Sequence, residues 1–159
     1  MSGDGAARIV RIELDSASSV RWNREVEHER QVAVFDLLER NLFRLINGFA
    51  GPYQVLLSLR EANLILEVSD QEGRDRVEVT LSTRPFRRII KDYFLICDSY
   101  FQAIKSASPS RIEAIDMGRR GLHNEGAEKL GDALADKVEI DDETARRLFT
   151  LICVLHIRG

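Results

Sequence analysis

Two cysteines, three prolines and four lysines in 159 residues exclude several kinds of protein at the outset. Cys97 and Cys153 both sit inside apolar helical stretches, so they read as core thiols, and the disulfide framework of a small secreted chain is absent. Long hydrophobic runs are missing too. The strongest, Leu148–Ile157, is about half the length of a membrane-spanning helix and carries Thr150 and His156. The opening MSGDGAA has neither the basic stretch nor the apolar stretch of a secretory signal. A cytoplasmic protein with no membrane partner is expected. Charge of one sign is also scarce. A formal net charge of −3 is too small and of the wrong sign for a broad basic field that coats nucleic acid, although it leaves room for a local basic patch. There is no glycine-rich phosphate loop, dinucleotide fingerprint, nucleophile elbow or CxxC pair, and no cofactor is expected.

An apolar fraction of 44% and a charged fraction of 31% suit an ordinary globular protein. A chain of this length ordinarily forms one domain, with residues 1–6 as a flexible tail and 7–159 as the globular part. Arg8–Leu14 predicts a short strand. Asn23 is placed to cap a helix over REVEHERQVAVFDLLERNLF, with Val32, Phe35, Leu38 and Leu42 on its apolar face, ended by Gly48, Gly51 and Pro52. Three alternating runs follow: Val55, Leu57 and Leu59, then Leu64, Leu66 and Val68, then Val77, Val79 and Leu81. Their connections are too short for parallel crossovers, so an antiparallel meander with one buried face is predicted.

Thr83 and Pro85 are suited to open a helix whose apolar stripe runs from Phe86 to Ile104. Ser108 and Pro109 start another that reaches Leu134. Asp141 caps a last helix whose first turn, Asp142 and Glu143, complements the helix dipole. That helix is apolar on nearly all sides and is expected to be buried. The predicted class is α+β: an antiparallel three- to four-stranded sheet packed against about four helices, in the order β-α-β-β-β-α-α-α.

The stretch Asp116–Glu128 (DMGRRGLHNEGAE) packs three glycines, two arginines, a histidine and an asparagine between apolar-periodic segments. Glycine costs about 1 kcal/mol against alanine inside a helix, so three of them need a packing or functional reason. If the helix is continuous, Ile112, Ile115, Leu122, Gly126, Leu130 and Ala133 share one face, and the glycines admit a close neighbour. Arg119 and His123 then lie near the edge of that face, with Asp116, Arg120 and Asn124 as the adjacent stripe. If the chain breaks near Gly121–Gly126, then His123, Asn124 and Glu125 lie on a loop.

Arg84, Arg87, Arg88 and Lys91 crowd the start of the Pro85 helix, where cations oppose the dipole. A bound phosphate or carboxylate would relieve that pattern; so would Glu72, Asp75, Glu78 or Asp92 as local partners. Arg146 and Arg147 form a further pair, and convergence of these pairs would make an anion site. Glu25 and His28 have the spacing found in di-metal helical bundles, but no second such motif exists, and no metal is expected. Tyr93 and Tyr100 read as packing aromatics.

The stretches VEHERQVAVFDLLE (26–39), GPYQVLLSL (51–59), TRPFRRIIKDYFLICDSYFQAI (83–104), RIEAIDMGRRGLHNEG (111–126) and TARRLFTLICVLHIRG (144–159) resemble an uncharacterised alphaproteobacterial protein family of the UPF type. The resemblance covers nearly the whole chain. It implies a small bacterial single-domain protein and carries over no activity, cofactor or catalytic residue. Function therefore rests on the residues. The leading expectation is a binding or adaptor domain for an anionic partner, a small molecule or RNA, through Arg87, Arg88, Lys91, Arg119, Arg120 and Asn124. One alternative is an enzyme with His123 as general acid/base, Glu125 or Asp116 orienting it and Arg119 holding the anion. The other is a homo-oligomeric scaffold assembled through the apolar C-terminal helix.

Overall fold

The computed structural model describes residues 5–15 and 24–156. Most of the expected tail and the whole of the Asn23 cap lie outside the described residues. In chain order the elements are β1 (Ile9–Leu14), α1 (Arg24–Glu39), β2 (Phe43–Leu45), β3 (Tyr53–Arg60), β4 (Asn63–Asp70), β5 (Arg76–Ser82), a 3-10 turn at Arg84–Phe86, α2 (Arg87–Ser106), α3 (Pro109–Leu134), β6 (Val138–Ile140) and α4 (Asp142–His156).

The alternating runs form the sheet as the α+β reading requires. Val55, Leu57, Leu64, Leu66, Val68, Val79 and Leu81 are buried on the face that meets the helices. Strands β3, β4 and β5 pair antiparallel in sequence. The edge strand β1 departs from a purely antiparallel sheet: it runs parallel to β3, giving the order β1-β3-β4-β5. The chain between β1 and β3 contains α1 and is long enough for the crossover that parallel pairing demands. A separate two-stranded ribbon, β2 against β6, was not anticipated.

Helix α1 corrects the sequence expectation twice. Its buried residues are Ala33 and Leu37, whereas Val32 and Phe35 of the expected face are 44% and 66% exposed. It also stops at Glu39 instead of running to Phe43. The side chain of Asn41 explains the stop: its amide donates to the carbonyls of Leu37 (2.7 Å) and Ile9 (3.0 Å), and its oxygen accepts from the Ile9 N–H (2.7 Å). Beyond it the Leu42 N–H donates to the Thr144 hydroxyl and Phe43 enters β2.

Thr83 does not cap a helix. Its hydroxyl donates to the Ala62 carbonyl (2.9 Å), Pro85 lies in the 3-10 turn, and no side chain caps α2. Ser108 and Asp141 do act as caps, accepting from the N–H groups of Arg111 and Thr144. Helix α4 is apolar nearly all round and is buried against α1, α2, α3 and β3 within this one chain. The apolar surface that would have joined a second copy is therefore already covered. Among the described residues no helix is long and apolar enough to cross a membrane.

Candidate functional site

Helix α3 is continuous through the glycine-bearing segment, so the loop alternative does not apply. Two of its glycines have a packing reason. A Cβ on Gly126 would clash with the Phe149 ring of α4, 2.2 Å from its Cζ, and one on Gly118 would lie 2.7 Å from Ile96 of α2. Gly121 faces open space. Close approach at Gly126 sets α3 against α4 and brings the middle of each helix to the same hollow.

That hollow is a cleft of about 510 Å³. His28, Glu29, Val32 and Asp36 line it from α1, Tyr93 from α2, Arg119, Arg120, His123 and Asn124 from α3, and Arg146, Arg147 and Thr150 from α4. A larger hollow of about 600 Å³ adjoins it and shares Asn124 and Arg146, but most of its other charged lining is carboxylate, including Glu128, Asp132 and Asp142. The basic and titratable groups gather in the smaller cleft.

His123 lines this cleft from α3 and is half-buried. The ring packs edge-on against Phe149 and tilted against Tyr93, both with centroids 5.6 Å away. Its Nε2 lies 2.7 Å from the Thr150 hydroxyl, which itself donates to the Arg146 carbonyl (3.2 Å). A hydroxyl has one proton to give, so Nε2 carries the ring proton and Thr150 accepts it; the tautomer is assigned from this network. Burial pushes the His123 pKa down to about 4, and the guanidiniums of Arg146, Arg119 and Arg147 push the same way. The imidazole is neutral near pH 7.

The arginines are held in place by carboxylates that they share. Asp116 meets Arg119 at 2.6 Å and Arg120 at 2.8 Å, and Glu143 meets Arg146 at 2.7 Å and Arg147 at 3.4 Å. Asp36 lies 3.9 Å from Arg147. Arg119 also lies over the Tyr100 ring, 4.9 Å from its centroid. Its guanidinium holds the Asp116 carboxyl below the ordinary range. Across the cleft, burial raises the Glu29 pKa despite the opposing pull of Arg119.

The predicted residues therefore divide. Arg119, Arg120, His123 and Asn124 come together, joined by Arg146 and Arg147. Arg87, Arg88 and Lys91 are exposed at the start of α2 and do not line the cleft; Arg88 is paired with Asp92 at 3.7 Å. Glu125 is exposed and lies outside the cleft lining, and Asp116 is engaged with two arginines. The group that orients His123 is Thr150. Sequence reasoning missed Thr150 and Glu29. Thr150 is the one hydroxyl within the apolar run from Leu148 to Leu155, and Glu29 stands four residues before Ala33 on the buried stripe of α1. Burial raises the Cys97 pKa to about 12, so that thiol is no nucleophile at neutral pH. His28 reaches the cleft and Glu25 does not. Among the described residues no group of three His, Cys, Asp or Glu side chains is arranged to hold a metal ion.

Fold and site together define an α+β protein with a half-buried basic cleft between helices. The model of the uncharacterised protein family UPF0262 matches residues 6–158. A UPF0262 protein of Rhodospirillum rubrum is 59% identical over 95% of this chain and 93% of its own length. One from Rhizobium etli is 54% identical over 98% of both chains, and one from Rhizobium meliloti is 54% identical over the full length of both. The chain belongs to the UPF0262 family. No solved structure matches it.

Proposed function

We propose that this protein is a binding domain for a small anionic ligand, which it takes between α3 and α4. Arg119, Arg120, Arg146 and Arg147 supply the charge, and Asn124 sits at the rim. The observation that carries this reading is the convergence of four guanidiniums on one half-buried cleft around His123, three of which lower the pKa of its ring. The carboxylates hold these guanidiniums by sharing: Asp116 and Glu143 each serve two arginines, and Asp36 lies 3.9 Å from Arg147. In a partly dry cleft charges held this way act on a bound anion more strongly than they would on an open surface. The reading does not draw on the cations of the α2 start, which do not line this cleft.

The test is a thermal-shift and calorimetric panel on the full chain, with inorganic phosphate, nucleotides, short RNA and phosphopeptides. A ligand at one hundred times its dissociation constant adds about 2.7 kcal/mol of stability. An Arg119→Glu, Arg146→Glu double variant should weaken the best ligand by at least about a hundredfold, because each reversal exchanges a charge-assisted hydrogen bond for repulsion. Unchanged affinity in a folded double variant sinks the idea.

A further inference from the structure

The ring network at His123 says more about the ligand than its sign. The arginines around the cleft offer only N–H donors, which any oxyanion satisfies. His123 offers the opposite. With Nε2–H directed to Thr150, its Nδ1 is a lone pair with no hydrogen-bond partner among the described residues. A bare anionic oxygen against that lone pair would be repelled, whereas a ligand O–H would be bound.

Resting on the anion reading above, we infer that the cleft takes a phosphate group still carrying a proton, in preference to a fully deprotonated tetrahedral anion such as sulfate, with His123 Nδ1 accepting the ligand's O–H. The charged and titratable surroundings of the ring fit this division of labour. His28, Glu29 and Asp36 face the cleft from α1 and Tyr93 from α2. Arg119 and Arg120 face it from α3, tied to Asp116, and Arg146 and Arg147 from α4, tied to Glu143. Around pH 6 the imidazole, with a pKa near 4, is an acceptor while inorganic phosphate still holds at least one proton. Glu29, across the hollow, is a second group that can accept from the ligand. The volume, about 510 Å³, exceeds what one phosphate fills, so a phosphate monoester and the free ion are both accommodated.

Calorimetric titration of the full chain at about pH 6 decides the matter. There inorganic phosphate is largely singly charged, sulfate is doubly charged, and about half of a phosphate monoester retains its proton. Coulomb attraction alone ranks sulfate first; the hydrogen bond to Nδ1 ranks phosphate first. The expected result is that inorganic phosphate or glycerol 3-phosphate binds about tenfold tighter than sulfate, the worth of one hydrogen bond that phosphate makes and sulfate cannot. Whichever of the two binds tighter identifies free ion or ester as the source. In His123→Phe, which keeps an aromatic ring against Tyr93 and Phe149, the ratio should fall to one or below, where Coulomb attraction alone places it. Sulfate binding as tightly as phosphate in the wild-type protein, or a ratio unchanged in His123→Phe, overturns the inference and leaves the anion reading standing. Binding of none of the three probes overturns the inference, and the anion reading falls with it only if the nucleotides, RNA and phosphopeptides of the wider panel also fail to bind.

Discussion

At the start of α2, Arg84, Arg87, Arg88 and Lys91 all stand in solvent, whereas Arg119, Arg146 and Arg147 lie partly buried between α3 and α4. The side chain of Arg88 is 91% exposed; that of Arg119 is 29% exposed. In sequence the two clusters look alike, and the first is the denser. The difference lies in depth. Exposed charges more than about 10 Å apart are largely screened at moderate salt, and surface pairs contribute about 0–1 kcal/mol. Half-buried charges act on their neighbours at lower effective dielectric, which is how three arginines reach the titration of His123. A local count of positive residues therefore says little until packing has decided which of them share a hollow.

The contrast can be broken most forcefully at Gly126. Replacing it with valine drives a branched side chain into Phe149 and should cost roughly 3 kcal/mol or more, the upper end of overpacking, in chemical denaturation. The cleft arginines should lose their ligand in the same variant, while nothing at the α2 start changes. A smaller effect concerns pH. The folded value for His123, about 4, lies below the ordinary 6.5, so the unfolded chain takes up the proton first as pH falls. Stability is full above about pH 6.5 and declines as pH falls through the window from 6.5 to 4. The loss is roughly 2 kcal/mol once partial solvent screening is allowed for, and His123→Phe should flatten that slope. Smallest is the direct comparison of single arginines. Arg119→Met, which gives up the Asp116 pair and the Tyr100 contact, should cost about 1 kcal/mol and raise the His123 pKa measured by NMR titration. Arg88→Met should stay within about 0.5 kcal/mol and leave His123 untouched. Equal costs for the two would erase the distinction drawn between the clusters.

Strands β3 to β5 were legible because alternation is a local signal and their turns are short. The caps at Ser108 and Asp141 were legible for the same reason, since each acts within three residues. The face of α1 was not. Its sequence carries apolar residues on two sides, and the large Val32 and Phe35 outweigh the small Ala33 that the core selects. Strands β2 and β6 have three residues each and pair residues such as Arg44 and Glu139, 95 positions apart, so no local period announces them. The parallel placement of β1 likewise depends on where α1 packs. Within the site, Arg119, Arg120, His123 and Asn124 stood out because glycines flank them. Their junction with Arg146 and Arg147 was beyond reach, because it depends on the approach of α3 to Phe149. Glu29 became recognisable only with the correct stripe of α1, where a carboxylate four residues before a buried alanine is out of keeping.

Asn41 has a consequence beyond ending a helix. One amide group holds the last turn of α1 through Leu37 and the edge strand through Ile9. Those two pieces of backbone cannot open to solvent independently: loosening either one strips partners from the other. Proton exchange at the Ile9 amide and in the last turn of α1 should accordingly proceed at a common rate, and Asn41→Ala should release both together.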